Sequence, residues 1–172
     1  MSEALVLVEG TSDVIAVETL AALRGRDLAA EGVEVRAIGG AQAIARVLAS
    51  LPAGTRVAGL CDENEEPVFR RAAERFADLP FEFFVCRADL EDELMRALGV
   101  EAVEALFAEH GDLRSFRTFQ RQPAWAGRPV RDQLRRFLGS ADRRKQRYGR
   151  VFLDALEPRR VPQPLVQLLD AV

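Results

Sequence analysis

Two acids stand four residues apart near the start of the sequence, directly after the apolar run 4–8. A buried strand over that run would deliver Glu9 to its C-terminal tip, and a glycine then permits a tight turn into a helix. Thr11 or Ser12 is expected as the helix N-cap, with Asp13 in the first turn. Both carboxylates would face one crevice above the sheet edge, where open α/β folds bind ligands. Because like charges repel at short range, the pattern favours a divalent metal ion with oxygen ligands between them.

More acids follow two later apolar runs. Asp62 follows the run 56–61, and Asn64 lies two residues further on. In an extended segment both side chains would point the same way and offer oxygens to a hard cation. A later apolar run leads into an acidic stretch with Asp89 and Glu91. If these runs are parallel strands, their C-terminal ends bring all of these oxygens to the edge that carries the first pair.

Each acid also has a purely structural interpretation. Asp89 with Asp92 is typical of an N-terminal capping pair, and Asp13 can simply complement a helix dipole. The glutamates that follow Asp62 are consistent with a solvated helix start before Pro67. The recurrence of acids at the same end of successive strands is what favours one shared role over several separate ones.

Alternating strand and helix patterns supply the frame for these acids. Near-continuous apolar strands that alternate with helices indicate an α/β fold with a four-stranded parallel sheet, covered on both faces and joined by right-handed crossovers. The predicted strands cover 4–8, 33–38, 56–61 and 81–86, and the helices after them cover 13–23, 41–51, 68–77 and 90–98. Beyond Gly99 the strands stop, and helices are predicted over 100–109, 130–138, 143–156 and 161–169. We therefore expect an α/β core over residues 1–110 and a basic helical extension over 111–172 packed on it.

Charge divides the chain near the same boundary. Residues 111–150 hold twelve cations and three acids, a net charge of +9, so the rest carries −12 to reach the total of −3. A basic half beside an acidic half is typical of an anion-binding surface next to a metal site. Phe116, Phe119, Trp125 and Tyr148 lie in the basic stretch, and they either stack on exposed bases or pack a helical core that arginines solvate. The arginines expected to grip a phosphate backbone are Arg114, Arg117, Arg121, Arg135, Arg143, Arg144 and Arg147.

Composition argues against several classes of site. The single histidine, His110, argues against histidine-rich zinc sites, a Ser-His-Asp triad and a histidine-metal nuclease finger. Cys61 and Cys86 close apolar runs and are expected to be buried thiols in a reducing compartment. No apolar run reaches the length of a membrane span, and residues 1–4 lack the basic region of a secretory signal. We therefore expect a cytoplasmic protein without a membrane partner.

The order of these motifs resembles that of a TOPRIM domain, the module found in topoisomerases, bacterial primases and OLD-family nucleases. The resemblance is carried by the Val-Glu-Gly of residues 8–10 with an acid four after the glutamate, and by a later apolar strand that ends in Asp62-x-Asn64. The stretch 88–92 and the Arg-Arg-Lys of 143–145 are most similar to the C-terminal half of the OLD-family nucleases. The resemblance covers most of the chain and is strongest over residues 4–98.

The resemblance implies a Rossmann-like TOPRIM fold and gives roles to single residues. Glu9 matches the family's metal-binding glutamate, which also acts as an acid or base, and Asp13 matches the second acid of that motif. Asp62 matches the first aspartate of the family's Asp-x-Asp pair. Glu91 matches a downstream acid that helps to hold a second metal. Lys145, the only lysine of the chain, matches the basic residue that stabilises transition-state charge.

The chain departs from the family at Asn64, where the usual residue is a second aspartate. An amide oxygen keeps one metal ligand but loses a negative charge, so the metal affinity at that position should drop. Glu63 and Glu65 are the nearby acids that would compensate.

The function implied is that of a Mg²⁺- or Mn²⁺-dependent phosphodiesterase that cuts nucleic acid, with DNA as the expected substrate and a two-metal mechanism. OLD-family nucleases usually follow an ATPase domain, whereas this sequence has no Gly-x-x-x-x-Gly-Lys-Ser/Thr motif. The expectation is therefore a chain that either acts alone or has an ATPase as a separate partner.

Three alternatives stay open. One is a non-catalytic TOPRIM module that binds nucleic acid or a partner protein, and another is an RNA-processing maturase. The third is a receiver-like phosphoacceptor built on Asp62. That last function needs a lysine at the end of a later strand, whereas Lys145 falls in a predicted helix.

Overall fold

The computed structural model describes residues 4–172, apart from the side chain of Asp142. The prediction that there is no secretory signal rests on residues 1–4, and residues 1–3 lie outside the described part. The strands are β1 (Ala4–Val8), β2 (Val33–Ala37), β3 (Arg56–Asp62) and β4 (Phe81–Cys86). The helices are α1 (Thr11–Leu23), α2 (Ile44–Ala49), α3 (Glu66–Arg75), α4 (Leu90–Leu98), α5 (Val100–Glu109), α6 (Leu113–Gln120), α7 (Val130–Leu138), α8 (Asp142–Ala155) and α9 (Gln163–Asp170). Short 3₁₀ helices cover Ala41–Ala43 and Pro158–Arg160.

The strands form one sheet in the order β2-β1-β3-β4, and every neighbouring pair is parallel. The register pairs Leu7 with Arg36 on one side and with Gly59 on the other, and it pairs Asp62 with Cys86. The predicted four-stranded parallel sheet is therefore confirmed. Since the strands run in one direction, the residues that follow β1, β3 and β4 all leave the sheet at the same edge.

Side chains of β1 alternate between two apolar layers, as a strand buried on both faces requires. Val6 and Val8 join the layer that packs on α1, α4, α8 and α9. Leu5 and Leu7 join the layer under α2 and α3, where Phe69 is fully buried. The predicted burial of both thiols is confirmed, and Cys61 and Cys86 fall in opposite layers as free cysteines.

The helices beyond residue 100 add an aromatic cluster to the first layer. Phe107 lies 4.9 Å from Tyr148, 5.4 Å from Phe116 and 5.5 Å from Phe137, measured between ring centroids. Helix α8 packs along α1, and α9 packs against β3 and β4. The basic half therefore shares one core with the sheet, while its division from the α/β half at residue 110 stays a prediction.

Several element boundaries differ from the sequence prediction. Helix α6 was missed, because its eight residues lie in a stretch dominated by charge and turn residues. The helix predicted over 41–51 begins as a 3₁₀ turn, since Gly39 and Gly40 adopt positive φ just before it. It ends at Ala49. Within the described residues 4–172, no helix is both long and apolar enough to cross a lipid bilayer.

Candidate metal centre

Glu9 directly follows β1 and faces the loop after β2. The backbone carbonyl of Glu9 accepts a hydrogen bond from Gly39 N at 3.0 Å, which holds the loop beside it. The loop then turns so that the Ala41 N–H favours the charged form of the Glu9 carboxylate, while the nearby Glu65 carboxylate opposes it. Burial raises the pKa of Glu9, and Glu65 raises it further. Glu9 therefore resists ionisation at its own edge of the sheet unless a cation arrives.

Asp13 lies in the first turn of α1, as expected, but the N-cap is Gly10 rather than Thr11 or Ser12. Gly10 is extended, with φ of −137° and ψ of 176°, and its carbonyl accepts the first helical hydrogen bond from Val14 N. Its N–H donates to Asp13 Oδ2 at 2.9 Å, so Asp13 itself completes the cap. The prediction of a hydroxyl cap was wrong because the tight turn places the glycine at the helix boundary.

Asp13 serves more than the helix end. Burial raises its pKa, and the nearby carboxylates of Glu9 and Asp89 raise it as well, whereas the Gly10 N–H and Lys145 lower it. Its second interpretation as a dipole-complementing acid is consistent with the same geometry. The side chain is thus both a cap and a member of an acidic group.

Asp62 ends β3 and faces acids from three other segments. Burial raises its pKa to about 8, and the next largest causes are the charges of Glu9, Asp89 and Asp13, followed by Glu65. Glu9 and Asp62 therefore share one edge and interact. A shift of this size identifies Asp62 as the described carboxylate that gains most from a neighbouring cation.

The expectation that Asp62 and Asn64 lie in one extended segment was wrong. The chain turns directly after the strand, with Glu65 N donating to the Asp62 carbonyl at 2.9 Å. Asn64 is exposed in that turn, and Glu65 is half-buried beside Glu9. Since a turn reverses the chain within a few residues, the pair two apart no longer points the same way. Glu63, the other acid considered as a substitute, is exposed.

The start of α4 brings the last two acids and the lysine. Asp89 is the N-cap and accepts Asp92 N at 2.8 Å, so the predicted capping pair is confirmed, and its other oxygen accepts Arg135 Nε at 2.6 Å. Glu91 is 5 % exposed, and Lys145 Nζ of α8 lies 3.2 Å from its Oε2. Burial raises the pKa of Glu91 to about 7, which Lys145 opposes.

Lys145 is held between α8 and the sheet edge. Burial lowers its pKa, but the charges of Glu91, Asp13 and Asp89 outweigh burial and leave the pKa above its usual range. The lysine is therefore a fixed cation facing acids from several segments. We call this group of acids the carboxylate cluster, and its members are Glu9, Asp13, Asp62, Glu65, Asp89 and Glu91.

The donor chemistry of the carboxylate cluster suits a hard divalent cation. Its buried oxygen Glu65 Oε2 has no hydrogen-bond partner, and Glu91 Oε2 faces the Lys145 ammonium at 3.2 Å. Among residues 4–172, no three His, Cys, Asp or Glu side chains already stand at the distances of a complete metal site. Mg²⁺ needs fewer protein ligands, because it keeps several waters and binds through one or two carboxylates. The cluster therefore fits a hydrated ion and would tighten around it.

The predicted phosphate-gripping arginines divide into two groups. Arg117 pairs with Glu104 at 2.6 Å, Arg135 pairs with Asp89, and Arg147 pairs with Asp112, so these side chains also hold the fold together. Arg144 lies over the Phe137 ring, 3.9 Å from its centroid. The exposed ones that form no ion pair with another described residue are Arg114, Arg121 and Arg143.

The four aromatic residues of the basic stretch also divide. Phe116 and Tyr148 are fully buried and pack the core, which confirms the packing interpretation for them. Phe119 and Trp125 are half-buried and contact each other with centroids 5.2 Å apart. Trp125 lines a groove that also contains Glu91 and Lys145.

Sequence reasoning missed the Ala41 contact and named Glu65 only beside Glu63, as an acid that would compensate for Asn64. The Ala41 N–H reaches Glu9 only because Gly39 and Gly40 adopt φ of 74° and 107°, and the glycine pair was the available signal. The position of Glu65 depends on the turn after β3, for which the acidic run before Pro67 gave only an ambiguous hint.

Comparison with known proteins agrees with this geometry. A family profile described as "Overcoming lysogenization defect protein-like, TOPRIM domain" matches residues 1–62. No curated protein sequence matches the chain significantly. TOPRIM domains in general bind divalent metals.

Two solved structures of similar fold are C-terminal regions of OLD proteins. The C-terminal region of the Xanthomonas campestris pv. campestris OLD protein, in its mercury-phased structure, is 20 % identical with a TM-score of 0.66, over 99 % of this chain and 94 % of that one. The C-terminal region of the Burkholderia pseudomallei OLD protein is 15 % identical with a TM-score of 0.69, over 99 % of this chain and 96 % of that one. At these identities the likeness establishes the fold. Residues 1–62 are thus similar to an OLD-like TOPRIM domain, and the whole chain has the fold of the C-terminal regions of OLD proteins.

Proposed function

We propose that the protein hydrolyses phosphodiester bonds of nucleic acid with a bound Mg²⁺ or Mn²⁺. The observation that carries the proposal is the carboxylate cluster, in which acids following three adjacent parallel strands meet one lysine. The match to a nuclease-type TOPRIM module supports it. Buried acids with pKa values near neutrality are typical of functional sites, because structure alone does not require them.

Glu9, Asp13, Asp62 and Glu91 would hold the cation, and Asn64 stays a further predicted ligand. When bound, the metal supplies neutralising charge for the attacking and leaving oxygens of an in-line displacement. Glu9 has a raised pKa and accepts the Ala41 N–H, so it is placed to take or return a proton at the carboxylate. Lys145 is already fixed beside Glu91, and it would balance charge that builds on the non-bridging phosphate oxygens.

The exposed arginines would grip the phosphate backbone. Arg114, Arg121 and Arg143 are available for phosphate, because they form no ion pair with another residue of the described range 4–172. Binding should therefore weaken steeply as the salt concentration rises. DNA is the proposed substrate, and an ATPase acting as a separate partner belongs to the same proposal, since OLD proteins carry an N-terminal ATPase part.

The proposal is tested by nicking of supercoiled DNA in the presence of Mn²⁺ by the wild type and by Glu9→Gln. Loss of the Glu9 charge should lower the rate by about 1,000-fold, the order expected for a group that acts on the reacting atoms. Glu18→Gln is the matched control, because Glu18 is exposed on the same helix–strand unit. Equal nicking by the wild type and by Glu9→Gln would contradict the proposed enzymatic activity.

A second candidate is a non-catalytic module that binds nucleic acid or a partner protein. It is favoured by the exposed, uncharged Asn64 and by the lack of a closed three-ligand metal site among residues 4–172. Salt-sensitive binding of DNA without any nicking in Mg²⁺ or Mn²⁺ would favour this module. Faster cleavage of folded RNA than of duplex DNA would instead favour the maturase.

A further inference from the structure

A groove of about 580 Å³ opens beside the carboxylate cluster, between the start of α4, the loop before α7 and the first turns of α8. Glu91 and Lys145 lie on its wall, and Trp125, Arg128 and Arg136 also line it. Its volume falls in the range of about 300–1,000 Å³ that is usual for small-ligand sites. The groove therefore has room for a nucleotide next to the acids.

The loop that carries Trp125 is fixed in place. Gln133, which is 4 % exposed, donates from Nε2 to the Trp125 carbonyl at 2.8 Å, and Gln120 Nε2 donates to Gln133 Oε1 at 2.7 Å. Phe119 packs against the indole. A half-buried aromatic ring held by a buried amide is a preformed platform, so little ordering is needed when a ligand binds.

The cations of the groove differ in their availability. Arg135 and Lys145 are paired with Asp89 and Glu91, at 2.6 Å and 3.2 Å. Arg128 and Arg136 are exposed and form no ion pair with another side chain that the structure describes, and neither does Asp132 on the same wall. Arg136 is therefore available for phosphate, and Arg128 becomes available once it leaves the Trp125 ring.

We propose that this groove binds an unpaired nucleotide beside the scissile phosphate, with its base stacked on Trp125. The inference rests on the proposed function and deepens it by naming nucleic acid with an unpaired nucleotide at the cut, as in single strands or the locally unpaired segments of supercoiled DNA, as the substrate class. An aromatic ring among cations is the combination that binds single strands without sequence preference, because every base has a π-face. Paired bases inside a duplex cannot offer that face to the indole.

Without a ligand, the Arg128 guanidinium covers the face of the Trp125 ring on which the base would stack. Its guanidinium carbon lies over the Trp125 ring, 5.2 Å from the centroid, and its Nε donates to the Ala124 carbonyl at 2.9 Å. A base that takes this position frees the guanidinium for the adjacent phosphate. The cation–π contact is thereby exchanged for stacking and a charge-assisted hydrogen bond.

The test uses intrinsic fluorescence, because Trp125 is the only tryptophan of the chain. The full-length protein is titrated with a short oligothymidylate in the presence of a chelator, so that no cleavage occurs. Stacking should quench the fluorescence, whereas an abasic oligonucleotide of equal length should bind without quenching. In a separate binding assay, Trp125→Leu should bind the oligothymidylate about tenfold more weakly.

Phe76→Leu is the matched control, since Phe76 is another half-buried ring under an arginine, Arg75, but lies outside the groove. It should bind like the wild type. Binding of oligothymidylate with an unchanged fluorescence signal, or equal quenching by a blunt duplex, would overturn the inference. If either result is obtained while the wild type nicks DNA and Glu9→Gln does not, only the groove inference fails. If the wild type neither nicks DNA nor binds nucleic acid, both proposals fail.

Discussion

Two buried acids stand next to each other in the first turn of α4, and their surroundings differ. Asp92 is 8 % exposed and accepts Arg96 Nε at 2.9 Å, with Arg131 Nη2 3.2 Å from both of its oxygens. Glu91 is 5 % exposed and pairs with one cation, Lys145, whose Nζ lies 3.2 Å from Oε2. The first acid is compensated by two arginines, whereas the second has one lysine, which also faces Asp13 and Asp89.

The difference separates structural charge from functional charge. Arginines surround Asp92, so its burial is compensated within the protein. The carboxylate cluster around Glu91 places six acids against Lys145 and Arg135, which leaves an excess of negative charge in a partly buried place. Because uncompensated buried charge costs stability, its retention at one sheet edge indicates a site prepared for a cation.

After Glu9→Gln, removal of the lysine charge should have the largest effect. Lys145→Met should lower the rate of Mn²⁺-dependent nicking by about 100-fold, the order found when a transition-state charge loses one stabilising group. Arg150→Met is the control, since Arg150 is an exposed cation on the same helix that pairs with Asp154. A similar loss in both variants would show that net charge, rather than position, is what matters.

Neutralising the two kinds of acid should change stability in opposite directions. At pH 8 without metal, Asp62→Asn should raise the free energy of unfolding by about 1–2 kcal/mol, because it removes repulsion from Glu9 and Asp89. Asp92→Asn should lower it by about 2 kcal/mol, because two arginines lose their partner. Urea denaturation measures both. The comparison fails if the two variants shift stability in the same direction.

The metal-free protein should lose stability as the pH rises from about 4 to 8. The pKa values of Asp62, about 8, and Glu91, about 7, lie above those of the unfolded chain, so the folded state binds more protons in this window. The loss should be on the order of 2 kcal/mol, or about 5 °C in Tm. Thermal unfolding at pH 5 and 8, with chelator and with Mn²⁺, measures it.

Mn²⁺ should remove most of this pH dependence, because metal binding releases the same protons. In the presence of chelator, the stability of Asp62→Asn should fall less steeply with pH than that of the wild type. A profile that rises with pH in the metal-free wild type would contradict the assignment of these raised pKa values.

The smallest effect is expected at the loop beside Glu9. Gly40 has φ of 107°, so Gly40→Ala strains the backbone and costs about 1–2 kcal/mol. It should also weaken Mn²⁺ binding several-fold, because the Ala41 N–H moves off the Glu9 carboxylate. Gly54→Ala is the control, with φ of 82° at an exposed position before β3. Equal metal affinity in both variants would show that the Ala41 contact has no role.

The sheet was predictable because each strand is a continuous apolar run with an acid or turn residue close behind it. β1, β4 and α4 have the predicted bounds, and the parallel order then places Glu9 and Asp62 at one edge. What failed was local turn geometry, where one residue decides the direction of a side chain. The Gly10 cap and the turn that exposes Asn64 are both of this kind.

Tertiary contacts account for the rest. Glu65 meets Glu9 across segments that are more than fifty residues apart, and no local pattern reports that approach. Helix α6 has apolar residues Leu113 and Phe116 three positions apart, which is too short a signal to separate from a basic loop. The roles of Lys145 and Glu91 at the site were expected only from the family resemblance, and the packing of α8 against α1 and α4 brings the two side chains into contact.

The central claim is that acids from separate strand ends form one cation site. Anomalous diffraction from crystals soaked in Mn²⁺ tests it most directly, because it locates the metal and its ligands without depending on activity. The account predicts a peak at coordination distance from carboxylate oxygens of both Glu9 and Asp62, with Asp13 or Glu91 nearby. Peaks only elsewhere on the molecule, or an empty carboxylate cluster at saturating Mn²⁺, would contradict it.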